Sequence, residues 1–159
     1  MNSKRQHLPV SLWGRFLYAR IAGDLEYGDT QARAIRSQTR PGGREQFEIA
    51  GHLFAMLFRQ VFEQEPEVSE IDALIGEARS VLRTPEHMPF LEAEALARSW
   101  LGEPHVDTSG ISSVVTATTG AVLAARLAKR LRLSARQIAE AVVIAEREVE
   151  TMGIELVLE

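Results

Sequence analysis

The 159-residue chain contains no cysteine and, at 6% of its residues, few aromatic side chains. Without cysteine it cannot form a disulfide scaffold, a Cys-ligated zinc or iron–sulfur site, or a thiol nucleophile. Its longest strongly apolar run, residues 53–58, is far shorter than the roughly 20 residues that cross a membrane. The short apolar stretch near residue 10 is interrupted by Arg15 and does not fit a signal peptide. We therefore expect a cytoplasmic protein with no membrane partner.

Motifs for catalysis and cofactor binding are missing as well. No glycine is followed by Lys-Ser or Lys-Thr, as in a Walker motif, and no serine lies in a Gly-x-Ser-x-Gly context. One stripe of a predicted helix carries the side chains of Glu45, Glu48, His52 and Glu63. Their spacing differs from the di-iron pattern, and Arg59 in the same stripe would repel a cation. We interpret the stripe as a solvent-facing edge, predict no catalytic residue, metal or cofactor, and favour a non-enzymatic protein.

Charge is distributed unevenly along a chain whose formal net charge is -4. Residues 1–44 carry eight basic and three acidic side chains, whereas residues 45–107 carry four basic and thirteen acidic ones. Such asymmetry favours pairing between segments, within one chain or between chains. We predict a single helical domain over residues 1–159, divided into a basic segment 1–44, an acidic middle 45–107, a C-terminal helical hairpin 108–153 and an apolar tail 154–159.

Helical periodicity dominates the sequence, and we predict an all-α fold, an irregular bundle of five to seven helices. Helices are expected over 12–21, after a cap at Asp29 or Thr30, over 45–64, after a cap at Ser69, from Pro89, over 111–131, and from Ser134 to Gly153. The β-branched stretch 111–119 also fits a strand, but its spacing favours helix. The tail 154–159 is expected to be a short strand or an apolar strap.

The predicted helix over residues 45–64 has an unusually wide apolar face. Its apolar residues cover about half of the circumference, whereas a surface helix needs a stripe of about 100°. We therefore expect this helix to lie at the centre of the bundle, or to span both the core and a subunit interface.

The hairpin over residues 124–147 is similar in spacing to a helix-turn-helix DNA reader. Its candidate DNA-binding residues are Arg126, Lys129, Arg130, Arg132, Arg136 and Gln137. However, Arg132 occupies the turn position where glycine is usual, and the second helix presents Glu140 and Ile144 outward. Alternatively, the arginines pair with Glu140, with Glu146 or with the acidic middle segment.

Glycines and arginines at the turn over residues 40–44 form a second candidate site. Arg40, Gly42, Gly43 and Arg44 precede a helix, whose free N–H groups can bind a phosphate or carboxylate. A plain turn with solvated arginines explains the same residues equally well.

Surplus apolar surface supports the main functional hypothesis. Monomers seldom leave large contiguous apolar patches exposed, and the last helix and tail carry more apolar residues than one face holds. The candidate interface residues are Val143, Ile144, Ile154, Leu156 and Leu158. We predict a non-enzymatic interaction or adaptor protein whose partner is a second copy (a homodimer) or another protein. DNA binding and small-anion binding are the alternatives.

Overall fold

The computed structural model describes residues 8–37 and 43–158. Its helices are α1 (Leu12–Ala22), α2 (Leu25–Arg36), α3 (Gly43–Val61), α4 (Val68–Ser80), α5 (Phe90–Trp100), α6 (Ser113–Arg130) and α7 (Ala135–Thr151). A short 3-10 helix, Pro85–His87, precedes α5. The predicted all-α fold is therefore confirmed, and no strand occurs in the described ranges.

Helix α3 lies at the centre of the bundle and packs against α1, α5, α6 and α7. The side chains of Leu53, Phe54 and Phe58 are almost completely buried. Phe54 also packs against Trp100 of α5, with ring centroids 5.8 Å apart. The wide apolar face of this helix is thus covered within one chain, which confirms its predicted central position.

Of the three helix caps that the sequence predicted, the structure contradicts two and confirms one. Helix α2 begins at Leu25, earlier than predicted, because Asp24 caps it by accepting a hydrogen bond from the Tyr27 N–H. Helix α4 begins at Val68 after Glu67, so Ser69 is not its cap. By contrast, the predicted capping box of Ser134 and Gln137 at α7 is confirmed.

The stretch 111–119 leads into a helix, as the spacing of its apolar residues predicted. Helix α6 starts at Ser113, and the Ser112 side chain caps it by accepting from the Val115 N–H. The apolar periodicity that continues to Leu131 therefore outweighs the β-branched composition of the first turns.

The tail does not form the strand that the sequence suggested as one option. Its backbone instead forms hydrogen bonds with the first residue of α1 and with the Glu45 carboxylate. The Val157 carbonyl accepts from the Leu12 N–H at 2.9 Å. The Val157 N–H donates to Glu45 Oε1 at 3.1 Å. Glu45 is only 4% exposed, so its predicted place on a solvent-facing edge was wrong. The tail is an extended strap across the bundle.

A buried carboxylate joins the last helix to the first. Glu146 of α7 is 1% exposed, and its two oxygens accept from the Val10 N–H at 3.0 Å and the Ser11 N–H at 2.6 Å. A β-carbon at Gly14 would lie 2.5 Å from Glu146 Oε2, so only glycine lets the helix start approach this closely. Among the described residues, no arginine forms an ion pair with Glu146, which was one of the three pairing options that the sequence left open.

Replacing Glu146 tests this contact. In Glu146→Ala the Val10 and Ser11 N–H groups lose their acceptor, and we expect a loss of about 2–4 kcal/mol in the free energy of unfolding. The exposed neighbour Glu148, changed to alanine, is the matched control, with an expected effect within about 0.5 kcal/mol. Urea denaturation measures both. Equal losses in the two variants would contradict the assigned role of Glu146.

Two glycines in different surroundings provide a test of the core packing. A β-carbon at Gly51 of α3 would lie 2.3 Å from Trp100 Cδ1, whereas nothing lies within 4 Å of one at Gly76 of α4. We expect Gly51→Ala to destabilise by about 1–3 kcal/mol through overpacking. Gly76→Ala should stabilise by about 0.5–1 kcal/mol, because alanine favours a helix interior. Thermal unfolding of the two variants should shift in opposite directions; a Gly51→Ala variant as stable as the original chain would contradict the packing.

Candidate functional site

Two adjoining concavities run along one side of α6. The larger, of about 660 Å³, lies between α6, the α1–α2 turn, the end of α4 and the start of α7. The smaller, of about 340 Å³, lies between α6, α1 and α2. Arg20, Ala121 and Val122 line both, so the two concavities adjoin, and together we call them the α6 groove.

The side of the α6 groove that α6 contributes follows from the spacing of residues on this helix. Val114, Thr118, Ala121, Ala125 and Lys129 line it at intervals of three or four residues, which places them on one stripe of the helix. Two of the five are alanines, whose short side chains leave room above the helix. The groove is therefore a consequence of small residues on the face of α6 that α1 and α2 only partly cover.

The groove exposes apolar side chains. Leu25 of α2 is 66% exposed, Val114 of α6 is 63% exposed, and Val81, just after α4, is 59% exposed. All three line the α6 groove. Single exposed apolar residues are normal on the surface of a monomer, whereas these three lie along one groove.

The charge of the groove is one-sided. Its described lining residues include five cations and no aspartate or glutamate: Arg20, Arg36, Arg126, Lys129 and Arg132. A cleft lined by charges of one sign concentrates the field and attracts groups of opposite charge. The groove is therefore electropositive in a chain whose net charge is negative.

The structure divides the predicted DNA-binding residues into two groups. Arg126 and Arg130 both form ion pairs with Glu77 of α4, and the Arg130 guanidinium lies 5.7 Å from the centroid of the Phe62 ring. The predicted pairing of arginines with the acidic middle segment is thus confirmed for these two. The pKa of the Glu77 carboxyl is held below its usual range, first by the hydrogen bond from Arg126 and then by the one from Arg130.

The rest of the predicted DNA-binding set lies near the turn between α6 and α7. Arg136 pairs with Glu140 at 3.2 Å, as one of the alternatives proposed, and the Gln137 side chain belongs to the α7 capping box. Lys129 and Arg132 are exposed and line the α6 groove. Arg132 has φ = 54°, the left-handed conformation that favours glycine, as its turn position suggested.

The predicted anion site is only partly visible. Arg40 and Gly42 lie outside the described residues. Gly43 and Arg44 are exposed at the first turn of α3 and line a recess of about 270 Å³. Thr108, Ser113 and Thr116 also line this recess, so hydroxyl groups and one guanidinium lie around it. Anion binding there stays a prediction.

The predicted interface residues differ in exposure. Val143 is half-buried, and Ile154 and Leu156 pack against the core. Ile144 is 47% exposed and Leu158 is 50% exposed. The exposed apolar residues of the α6 groove were missed, because Leu25 falls in a stretch where Gly23, Asp24, Gly28 and Asp29 predicted a break.

Other features and comparisons identify no function. Within ranges 8–37 and 43–158, no three His, Asp or Glu side chains are grouped as a metal site would require. In the same ranges, no helix has both the length and the apolar character to span a membrane. No protein-family model matches this chain, and neither a curated protein nor a solved structure matches it. The α6 groove is therefore the feature from which a function can be inferred.

The Glu77 ion pairs beside the groove can be tested through pH. Because its pKa is lowered in the folded state, Glu77 stabilises the fold above its unfolded value of 4.5, and this stabilisation is lost as the pH falls through the lowered folded pKa. We expect Glu77→Gln to cost about 1 kcal/mol at pH 7 and almost nothing at low pH.

The control for Glu77 is Glu140→Gln, which removes a more exposed pair with a single arginine and should cost at most about 0.5 kcal/mol at pH 7. Thermal unfolding of the original chain and both variants across the acid range provides the measurement. A Glu77→Gln deficit that stays constant down to the lowest pH would show that the ion pairs are not its cause.

Proposed function

We propose that this chain is a non-enzymatic protein-interaction domain that binds a helix of another protein in the α6 groove. The observation that carries the proposal is the exposure of Leu25, Val81 and Val114 along the α6 groove. Covering such side chains is favourable by about 25 cal/mol per Å² of apolar surface removed from water.

The length of the groove suits a helix. Val114 and Lys129 lie near its two ends on α6, 15 residues apart, which corresponds to about 22 Å, or about four helical turns. An amphipathic helix in a groove presents apolar side chains at intervals of three and four residues over such a distance. A small-molecule pocket instead encloses most of its ligand, whereas the apolar rim here is more than half exposed.

The lining chemistry favours binding over catalysis. General acid–base catalysis uses imidazole or carboxylate groups most often, and the described residues that line the groove include neither. Its polar side-chain groups are the cations, the hydroxyls of Ser113 and Thr118 and the indole of Trp13, which can bind and orient a partner.

Self-association through α7 and the tail is a second candidate, favoured by the exposure of Ile144 and Leu158. Ile144 is surrounded on α7 by Glu140, Arg147 and Glu148, which are also exposed, so an interface there would combine apolar and charged contacts. Cytoplasmic location and DNA binding also stay predictions.

Site-specific photo-crosslinking in cells that naturally make the protein tests the proposal. A photoreactive amino acid replaces Leu25 or Val114 in the groove, and Leu91 of α5, 77% exposed and outside the groove, is the matched control. We expect one or a few discrete protein adducts from positions 25 and 114 and none from position 91.

Three outcomes would contradict the proposal. Adducts at twice the 17.7 kDa mass of the chain would show a second copy in the groove and would favour self-association instead. Absence of adducts at positions 25 and 114, or equal labelling at position 91, would show that the groove is not an interaction site.

A further inference from the structure

We infer that the partner helix is acidic: an amphipathic helix with Leu-like side chains on one face and Asp or Glu along its edges. This inference rests on the proposed function and adds the chemistry of the occupant. It is argued from charge complementarity between the α6 groove and whatever covers it.

The cations of the groove are mostly free to bind a partner. Arg126 is paired with Glu77. In the described part of the chain, Arg20, Arg36, Lys129 and Arg132 form no ion pair, and all four are exposed. Four unpaired cations beside an apolar floor would face four acidic side chains on a bound helix without loss of any internal ion pair.

The positions of these cations cover the groove from end to end. Arg20 lines both concavities and therefore lies near the middle. Arg36 lines only the smaller concavity, whereas Lys129 and Arg132 line only the larger one. A helix of about four turns can place an acidic residue at each of these three places, since residues on one edge recur every three or four positions.

The backbone of Arg132 points to a role for its side chain. Lysine and arginine are common in the last turn of a helix for electrostatic reasons, which accounts for Arg20, Arg36 and Lys129. Arg132 lies beyond the end of α6, in a left-handed conformation that costs a residue with a β-carbon about 1–2 kcal/mol. A strained residue of this kind is often found at a binding site, and here it places a guanidinium at the groove.

The apolar rim favours an acidic helix over other anions. Nucleic acid would meet the cations through phosphates but would leave Leu25, Val81 and Val114 exposed to water. A fatty acid carries one carboxylate, so it would pair with one of the four free cations and leave the other three unpaired. An amphipathic acidic helix covers the apolar rim and pairs with several cations at once.

Binding of two synthetic peptides tests the inference. Both have about 16 residues, enough for the four turns of the groove, and leucines at i, i+3, i+4, i+7 and i+11. One has glutamate and the other lysine at the edge positions. We expect the glutamate peptide to bind at least about tenfold more tightly in fluorescence anisotropy, with a preference that declines as salt is added.

Charge-reversal variants test whether the cations of the groove cause the preference for the glutamate peptide. Lys129→Glu combined with Arg132→Glu should weaken the glutamate peptide about tenfold and strengthen the lysine peptide, because the rim changes sign. Arg136→Glu combined with Arg147→Glu is the matched control, since these exposed arginines of α7 do not line the groove. Circular dichroism and thermal unfolding establish that both double variants fold.

The outcomes separate this inference from the proposed function. If the two peptides bind equally, and Val114→Asp abolishes the binding of both, the groove remains a binding site for a helix. The inference that this helix is acidic is then overturned. If neither peptide binds, the inference that the partner helix is acidic is also overturned. The photo-crosslinking experiment at positions 25 and 114 tests the proposed function independently of this result. Competition for the groove by duplex DNA or dodecanoate, but not by the glutamate peptide, would assign another class of anion to it.

Discussion

The buried Glu146 carboxylate is the contact on which the arrangement of the helices depends. It accepts from the N–H groups of Val10 and Ser11, the two residues just before α1, which lie 136 and 135 positions away in sequence. The tail completes the same junction, because Val157 accepts from Leu12 and donates to Glu45 of α3. The beginning and the end of the described chain are thereby joined across α3 and α7. Since α1 supplies Arg20 and Ile21 to the α6 groove, the shape of the groove depends on this junction.

Local signals explain why much of the fold was predictable from the sequence. The capping box at Ser134 lies within four consecutive residues, and the wide apolar face of α3 lies on one helix, so each is visible in a short window. Asp24 was overlooked as a cap because two glycines and two aspartates follow one another there and suggested a longer break. The tail holds four aliphatic residues, as a short strand can, but a strand also needs a neighbouring strand with which to pair. The start of α1 and Glu45 bind the tail backbone instead.

The groove is not visible in any one segment, because it combines residues from α1, α2, α6, α7 and the end of α4. The sequence did reveal the basic cluster around Arg130, since its members are close together in the chain. It did not reveal which arginines are neutralised, because Glu77 is 49 residues from Arg126 and 53 residues from Arg130. Only the packing of α4 against α6 separates paired from free cations.

That separation gives the basic cluster two roles. Arg126 and Arg130 lie four positions apart on α6, so a single carboxylate on α4 can bind both and hold the two helices together. Lys129 lies between them in sequence but about 100° away from Arg130 around the helix, where it faces the groove instead. Glu77 neutralises one flank, and no carboxylate among the described residues lines the other. The positive charge is therefore concentrated where the apolar side chains are exposed. A negative net charge for the whole chain is therefore compatible with a surface that attracts anions, since the local field follows the nearest charges within a Debye length of about 8 Å.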